Sequence, residues 1–274
     1  MSKQFNEQEK EFILDCAKQH TGYKYIARQL HCDPQTIKNY CKNNNIIVDY
    51  RQKNRNLNEN FFETIDNEEK AYFLGLVYTD GSVRIIKNSK QLRISLQLQD
   101  EEIIKKFLKC LNSDVKLLYD KRIGKEAVGF EIVNEKLVND LIKLGVVPNK
   151  TYKSKHLPIV PEDFLIPFLR GLFDGDGILS YKENYNEASV GFVSYSYSVV
   201  YEFQQYIDKL INKKNSNKIM YHHNETSSKH YCHWRGRRQV LKILSLLYDN
   251  SNIYLLRKYN KYKRLLSTVD KDIV

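Results

Sequence analysis

The chain has 274 residues, 42% of them hydrophobic, and a formal net charge of +11 at pH 7. This length allows a substantial hydrophobic core, and the hydrophobic content fits a folded protein. The basic balance disfavours acidic small molecules as the sole ligands and favours a partner with closely spaced phosphates, above all nucleic acid.

Three helices are predicted at the start of the chain, over about residues 7–20, residues 23–30 and a third helix that begins at Pro34 with Asp33 as its cap. The segment YKYIARQLHCDPQTIKNYCK thus resembles a helix-turn-helix. An ordinary three-helix module that only packs or binds protein is the alternative. The third helix would expose polar and basic side chains suited to a major groove: Gln35, Thr36, Lys38, Asn39 and Lys42.

Residues 1–45 are therefore predicted to form a small all-α DNA-binding domain. The segment that follows, residues 46–60, has almost no apolar periodicity and carries Arg51 and Lys53. We interpret it as a basic linker that could lie along DNA phosphates.

A repeat dominates the rest of the chain. FLGLVYTDG at residues 73–81 and LRGLFDGDG at residues 169–177 align with a constant offset of 96 residues, which places Gly75 on Gly171 and Asp80 on Asp176. Both segments predict helices that are apolar on every side and therefore buried. Pro167 predicts a kink in the second helix or a later start.

Alternating segments follow each motif. In residues 91–99, Leu92, Ile94, Leu96 and Leu98 would face a core, whereas Arg93, Ser95, Gln97 and Gln99 would face solvent. Val190 and Phe192 hold the matching buried positions in the second repeat. Two halves are predicted, over residues 61–155 and 156–274, and each reads helix, two strands, helix, two strands, helix.

The motif glycines need a reason, because glycine inside a helix costs about 1 kcal/mol relative to alanine. Close contact between the two helices would supply it and would bring Asp80 and Asp176 together at the helix ends. Two carboxylates there oppose both helix dipoles and each other, and a divalent cation, preferably Mg²⁺, would remove these penalties. The alternative is that each Asp-Gly pair only ends a helix through a left-handed glycine. Asp174, whose counterpart is Tyr78, is predicted to be structural.

These paired motifs resemble the LAGLIDADG homing endonucleases of the single-chain, two-motif type, over about residues 60–270. The resemblance implies an α+β fold in which tandem αββαββα repeats, related by a pseudo-twofold axis, form two antiparallel sheets that sit as a saddle over double-stranded DNA. It also implies a monomer that needs Mg²⁺ or another divalent cation.

The resemblance further implies roles for individual residues. Asp80 and Asp176 match the metal-binding acids of the family. Lys150 and Lys258 match its late lysines, which support the solvent network or the transition-state charge. Asp100 matches a position near the scissile phosphate, and its counterpart Ser196 cannot act as an acid, so the two sites are expected to be unequal.

The function expected is a sequence-specific homing endonuclease that makes double-strand breaks in DNA by metal-dependent phosphodiester hydrolysis. A transcription regulator without cleavage and an RNA-splicing maturase are the alternatives. Base contacts are expected from polar strand positions, with arginine suited to guanine: Arg84, Arg93, Gln97, Gln99, Ser180 and Lys182.

Other features bear on location and on rival sites. Five cysteines without a C-x-x-C pair and the lack of a signal peptide predict an intracellular, cytoplasmic protein. The richness in Lys, Asn, Tyr and Ile hints at an AT-rich genome, of a bacterium or a phage. The most apolar stretch, residues 164–173, is too short to span a membrane. Residues 222–233 hold four histidines and one cysteine without zinc-site spacing, so a polar hairpin is expected there.

Overall fold

The computed structural model describes residues 3–18, 22–46, 56–86, 89–149, 155–182, 187–224 and 227–268. The chain divides into two compact units, Met1–Arg55 and Asn56–Val274. Residues 56–60 were expected in the linker, but Leu57 packs against the core of the second unit and the Asn58 N–H donates to the Leu111 carbonyl at 2.8 Å.

The first unit contains helices α1 (Glu7–Lys18), α2 (Tyr23–Gln29) and α3 (Pro34–Asn43). As predicted, Asp33 caps α3, and its carboxylate accepts a hydrogen bond from the Gln35 N–H at 2.7 Å. Proline suits the first position of α3 because an N–H there would have no helical partner. A small separate core lies between the helices and consists of Phe5, Ile13, Cys16, Ala17, Ile26, Ala27, Ile37 and Cys41.

The second unit contains seven helices and eight strands among its described residues. In chain order they are α4 (Glu68–Asp80), β1 (Gly81–Ile86), β2 (Ser89–Gln97), α5 (Glu101–Cys110), β3 (Leu118–Asp120), β4 (Ala127–Val133), α6 (Glu135–Lys143), α7 (Leu165–Asp176), β5 (Gly177–Lys182), β6 (Glu187–Ser194), α8 (Tyr197–Leu210), β7 (Met220–Asn224), β8 (Ser227–Arg235), α9 (Arg237–Tyr248) and α10 (Leu256–Ser267).

Two antiparallel four-stranded sheets have the same strand order, β1-β2-β4-β3 and β5-β6-β8-β7. The predicted α+β class and tandem architecture are confirmed. One continuous core runs through both halves, with Phe107 stacked on Phe73 at 4.1 Å and Phe203 stacked on Phe192 at 4.2 Å between ring centroids. Among the described residues, no helix is both long and apolar enough to cross a bilayer.

The motif helices α4 and α7 begin differently. Asn67 caps α4 by accepting a hydrogen bond from the Lys70 N–H at 2.9 Å. A 3-10 turn, Glu162–Phe164, precedes α7, and Pro167 is the third residue of α7. The predicted later start of the helix is therefore what the structure shows. Pro167 lies in the first turn of α7, where proline interrupts no hydrogen bond of the helix interior.

The 96-residue offset fails in the hairpins. Gly81 pairs with Ile94, whereas Gly177 pairs with Phe192, so the second hairpin is two residues longer. The chain regains the offset because a shorter connection leads into the next helix, and Asp100 and Ser196 both occupy the N-cap position. The strand registers of the halves are thus related but not identical.

Alternation along β2 is confirmed as far as Leu96. Leu92, Ile94 and Leu96 are buried, and so are Val190 and Phe192 in β6. The prediction for Leu98 is wrong: the strand ends at Gln97, and Leu98 lies in a 3-10 turn with 40% of its surface exposed. The turn redirects the chain into α5, which breaks the two-residue period.

The histidine-rich segment forms the predicted hairpin, β7 paired with β8. Cys232 faces the core rather than the histidines, and burial raises the pKa of its thiol to about 12.

Candidate active site

Helices α4 and α7 lie directly against each other in the centre of the second unit. A β-carbon on Gly171 would stand 2.1 Å from the Tyr72 carbonyl oxygen, and one on Gly75 would stand 2.4 Å from the Phe168 carbonyl oxygen. These distances are below any normal contact, so the close approach predicted from the repeat is confirmed. Glycine is needed at both positions because backbone, not a movable side chain, occupies the space.

Both helices end at the motif aspartate, and the next glycine begins a strand. Gly81 and Gly177 are extended, with φ of −76° and −75°, so the alternative of a left-handed glycine cap is wrong. Glycine is needed at both positions because a side chain would collide with the last turn of the preceding helix. A β-carbon on Gly177 would stand 2.2 Å from the Phe173 carbonyl oxygen, and one on Gly81 would stand 2.6 Å from the Val77 carbonyl oxygen.

The carboxylate of Asp80 lies against the backbone that carries Asp176. Its Oδ2 atom would be 2.4 Å from a β-carbon on Gly175, the residue immediately before Asp176. The Thr79 hydroxyl, which would be 1.9 Å from the same β-carbon, donates to Asp80 Oδ2 at 3.0 Å. Both aspartates are partly buried. The helix contact therefore brings the two acidic residues to one place, as their alignment predicted.

Lys258 reaches the same place from α10. Its side chain is buried, and its Nζ donates to the carbonyl oxygens of Phe173 and Gly177, the latter at 2.6 Å. These carbonyls end α7, where a cation is favoured by the helix dipole. Lys258 thus offsets part of the repulsion between the carboxylates and the helix end.

Opposing effects act on the pKa of Lys258. The pKa of its ammonium group falls from 10.5 to about 8, because burial and the neighbouring Arg257 lower it by more than attraction from Asp174, Asp80 and Asp176 raises it. Lys258 therefore lies close enough to both motif acids to be attracted by their charges.

This balance predicts a pH-dependent stability. Because the folded-state pKa lies below the unfolded value, the folded protein loses its proton first, and the burial cost present at neutral pH is relieved as pH rises from about 8 towards 10.5. Urea unfolding in EDTA at pH 7 to 10 should show wild type gaining stability relative to Lys258→Met across this window. Exposed Lys263→Met in the same helix should show no such gain, and a flat difference for Lys258→Met would contradict the prediction.

The Asp174 carboxylate connects several helices in the core of the second unit. It accepts hydrogen bonds from the hydroxyls of Tyr72 at 2.8 Å and Tyr248 at 2.6 Å, and from the Leu255 N–H at 2.7 Å. Burial raises its pKa, although these donors and Lys258 favour the ionised form. The side chain is fully buried and connects α4, α7, α9 and the start of α10. These contacts support the predicted structural role.

Replacing Asp174 by asparagine should destabilise the protein. The amide keeps the shape but brings two N–H donors into a site that already contains three donors, so at least one buried donor loses its acceptor, at a cost of about 1–3 kcal/mol. Chemical unfolding measures this cost. Exposed Asp114→Asn serves as the control, and equal stabilities of the two variants would contradict the network.

Two clefts open beside the paired helix ends. The larger, of about 690 Å³, is called the Asp80 cleft. The smaller, of about 170 Å³, is called the Asp176 cleft. Polar lining residues of the Asp80 cleft are Asp80, Ser95, Gln97, Gln99, Asp100, Lys125, Glu126 and Arg257. Those of the Asp176 cleft are Tyr78, Thr79, Asp176, Ser194, Tyr195, Ser196 and Lys229.

The predicted base-contacting residues are accessible where they are described. Arg84, Arg93, Gln97, Gln99 and Ser180 are exposed. All but Gln99 lie on the polar faces of β1, β2 and β5; Gln99 follows the end of β2, in the 3-10 turn, which corrects its placement on the strand. Arg51, Lys53, Lys150 and the side chain of Lys182 lie outside the described residues.

On α3, Gln35, Lys38, Asn39 and Lys42 are exposed, and Thr36 is partly buried. Gln35 donates from Nε2 to Asn39 Oδ1 at 2.8 Å, so the two amides are held along one side of the helix.

Two sets of exposed or cleft-lining residues were not predicted from the sequence. Arg235 is exposed and Lys229, Tyr231 and His233 are partly exposed on one face of β8; the alternation in KHYCHWR carries this signal. Arg257 lines the Asp80 cleft, but its partner Asp100 is 157 residues away in sequence, so no local pattern marks the pair.

The donor set fits Mg²⁺ in part. Among the described residues, no group of three or more His, Cys, Asp and Glu side chains could hold a metal ion. Two carboxylates are nevertheless a suitable protein contribution for Mg²⁺, which commonly retains several waters and binds substrate phosphates.

Residues 163–259 match the model of the LAGLIDADG-like domain family. No curated protein matches the chain in sequence.

Similar solved structures include the I-LtrWI LAGLIDADG homing endonuclease bound to target DNA, with 11% identity, a TM-score of 0.48 and coverage of 78% of this chain and 92% of that one. The I-SmaMI LAGLIDADG homing endonuclease bound to cleaved DNA has 13% identity, a TM-score of 0.46 and coverage of 76% and 92%. Full-length DUF199/WhiA from Thermatoga maritima has 14% identity, a TM-score of 0.46 and coverage of 77% and 64%.

Proposed function

We propose that this chain, which carries a LAGLIDADG-like domain at residues 163–259, is a sequence-specific homing endonuclease that cleaves both strands of DNA by metal-dependent hydrolysis. One observation carries the proposal: the Asp80 carboxylate lies against Gly175, directly beside Asp176, at the ends of paired helices. Carboxylates in that position oppose the helix dipoles and repel each other, and a bound divalent cation would relieve both penalties.

Asp80 and Asp176 would hold the metal ion, with Mg²⁺ preferred. When bound, such an ion activates water and stabilises a leaving oxygen in phosphodiester hydrolysis. Lys258 would keep the end of α7 in place and add positive charge close to the reacting phosphate. The Asp80 cleft and the Asp176 cleft would each admit one DNA strand to the carboxylates.

Sequence recognition would come from the exposed faces of the two sheets. Arginine reads guanine through two hydrogen bonds, and glutamine reads adenine in the same way. Arg84 and Arg93 on the first sheet, and Ser180 and Arg235 on the second, are placed on exposed strand positions that could make such contacts. The basic net charge of +11 would supply the phosphate attraction that is independent of sequence. We propose that the protein acts as a monomer through its internal repeat.

The first unit would lengthen the DNA footprint as a helix-turn-helix, with α3 in the major groove and the basic segment after it along the phosphates. Replacing both Lys38 and Lys42 by alanine should weaken DNA binding and lower the slope of log K against log salt by about 2, because two phosphate contacts are lost. Fluorescence anisotropy at several salt concentrations measures the slope. Lys10→Ala in α1 is the control, and an unchanged slope in the double variant would argue against this placement of α3.

A plasmid-cleavage assay tests the proposed activity. The substrate is a supercoiled plasmid that contains the DNA joined from the two sides of the gene, incubated with the full chain and with Mg²⁺ or EDTA. Linear product only with Mg²⁺ supports the nuclease. Tight binding of this DNA without cutting would favour a transcription regulator, and activity on a transcribed RNA alone would favour a maturase.

A further inference from the structure

We infer that Arg257, held by Asp100, contacts the scissile phosphate in the Asp80 cleft and that the strand crossing this cleft is cut first, through a nicked intermediate. The inference rests on the proposed function and adds to it a phosphate-contacting residue and an order of the two cuts.

The Asp100–Arg257 pair connects the two halves of the repeat. Nε of Arg257 donates to both carboxylate oxygens of Asp100, at 3.1 Å each. Asp100 is buried, whereas the Arg257 side chain is 32% exposed and lines the cleft that also contains Asp80. A buried carboxylate beneath a partly exposed guanidinium fixes the direction in which the guanidinium points.

The terminal nitrogens of Arg257 remain available. Within the described part of the chain, Asp100 is the hydrogen-bond partner of this side chain and uses Nε alone. Guanidinium groups bind phosphate through two parallel hydrogen bonds, and these are stronger than bonds between neutral groups. A guanidinium already oriented by Asp100 would lose little conformational entropy when it contacts a phosphate above Asp80.

The repeat-related counterparts of both members of this pair are neutral. Ser196 occupies the N-cap position that Asp100 occupies in the first half. The alignment of Lys150 with Lys258 places neutral Asn149 at the position of Arg257. The buried acid and its arginine are thus both replaced by neutral residues at the repeat-related positions. The two clefts therefore differ in the whole acid–arginine pair.

The Asp176 cleft has a different cation. Lys229 enters it from β8, and its Nζ lies over the Tyr195 ring, 5.3 Å from the centroid. Within the described residues, Lys229 forms no salt bridge with an acidic side chain. A lysine is a flexible point charge, so it orients a phosphate less strongly than the anchored arginine does.

The reaction itself is the same in both clefts. The oxygen of a water molecule bonds to phosphorus, one bridging P–O bond breaks, and the departing sugar oxygen keeps the electron pair and takes a proton. Arg257 stabilises the negative charge that builds up on the phosphate oxygens before this bond breaks. Faster passage through this step in the Asp80 cleft produces a nick in one strand before the other strand is cut.

The test follows each strand separately. The substrate is a linear duplex of the DNA joined from the two sides of the gene, labelled at the 5′ end of either strand, with Mg²⁺ and excess full-length protein. Wild type should accumulate a nick in one strand. Arg257→Gln should slow the cutting of that strand by about 10²-fold and leave the other strand unchanged, because one oriented donor group is lost. Lys229→Gln should slow the opposite strand.

Two further variants serve as a rescue and a control. Arg257→Lys retains a partner for Asp100 and should recover part of the lost rate, whereas Arg264→Gln, exposed in the same helix, should behave as wild type. Thermal unfolding of each variant shows that the fold persists.

Equal slowing of both strands by Arg257→Gln, or simultaneous cutting of both strands by wild type, would overturn the inference while leaving the nuclease intact. Binding of the duplex by wild type without any cutting would overturn the proposed function and the inference with it.

Discussion

Asp80→Asn and Asp176→Asn should each abolish Mg²⁺-dependent cutting of both DNA strands, with a loss of at least about 10³-fold in rate. Asparagine has nearly the same shape as aspartate but lacks the charge that holds a divalent cation. Because the Asp80 carboxylate lies against Gly175, next to Asp176, both side chains would contribute to one metal-binding region. Single-turnover cleavage of the plasmid substrate measures the loss.

The same substitutions should not harm folding. Each removes a negative charge from a helix C-terminus and weakens the repulsion between the two acids, which offsets the lost attraction to Lys258, so stability without metal should change little. Thermal unfolding in EDTA and DNA binding by anisotropy provide these readings, with exposed Asp114→Asn as the control. A variant that folds, binds DNA and still cuts at the wild-type rate would exclude the corresponding aspartate from metal binding.

Gly171→Ala should strongly destabilise the protein. The added carbon would stand 2.1 Å from the Tyr72 carbonyl oxygen and 3.0 Å from the Leu76 amide nitrogen, both of which belong to the backbone of α4. Relief requires α4 and α7 to move apart, which would disturb the central core, so we expect a cost at or above the ~1–3 kcal/mol of ordinary overpacking.

Urea unfolding measures this cost, and Gly124→Ala is the matched control. Gly124 has no atom near its would-be β-carbon but has φ of +73°, so its replacement costs only the backbone strain of about 1–2 kcal/mol. A Gly171→Ala variant as stable as Gly124→Ala would show that the helices are not in the close contact described. Cleavage should also fall in Gly171→Ala, because the separation would displace Asp176 from Asp80.

The sequence was sufficient to predict the helix pair and the acids at its ends. Gly75 and Gly171 were informative because glycine inside a buried helix has few explanations, and the repeat showed the same choice twice. Strand positions such as Leu92 and Val190 followed from the two-residue period. Local signals of this kind depend only on neighbours in the chain, which a sequence displays directly.

Other features depended on contacts that no local pattern records. The pairing of Gly177 with Phe192 depends on hairpin length, and the exposure of Leu98 depends on where β2 ends. Arg257 was missed because its partner Asp100 lies in the other half of the repeat. The extended conformation of Gly81 was also missed, since the Asp-Gly pair alone fits a left-handed cap equally well.

The most direct measurement is anomalous diffraction from crystals of the full chain bound to the DNA joined from the two sides of its gene, soaked with Mn²⁺ as a stand-in for Mg²⁺. The account predicts anomalous peaks at the ends of α4 and α7, within coordinating distance of carboxylate oxygens of Asp80 and Asp176 and next to a DNA phosphate. Well-ordered DNA with no peak at either carboxylate, or with Mn²⁺ bound only elsewhere, would contradict it.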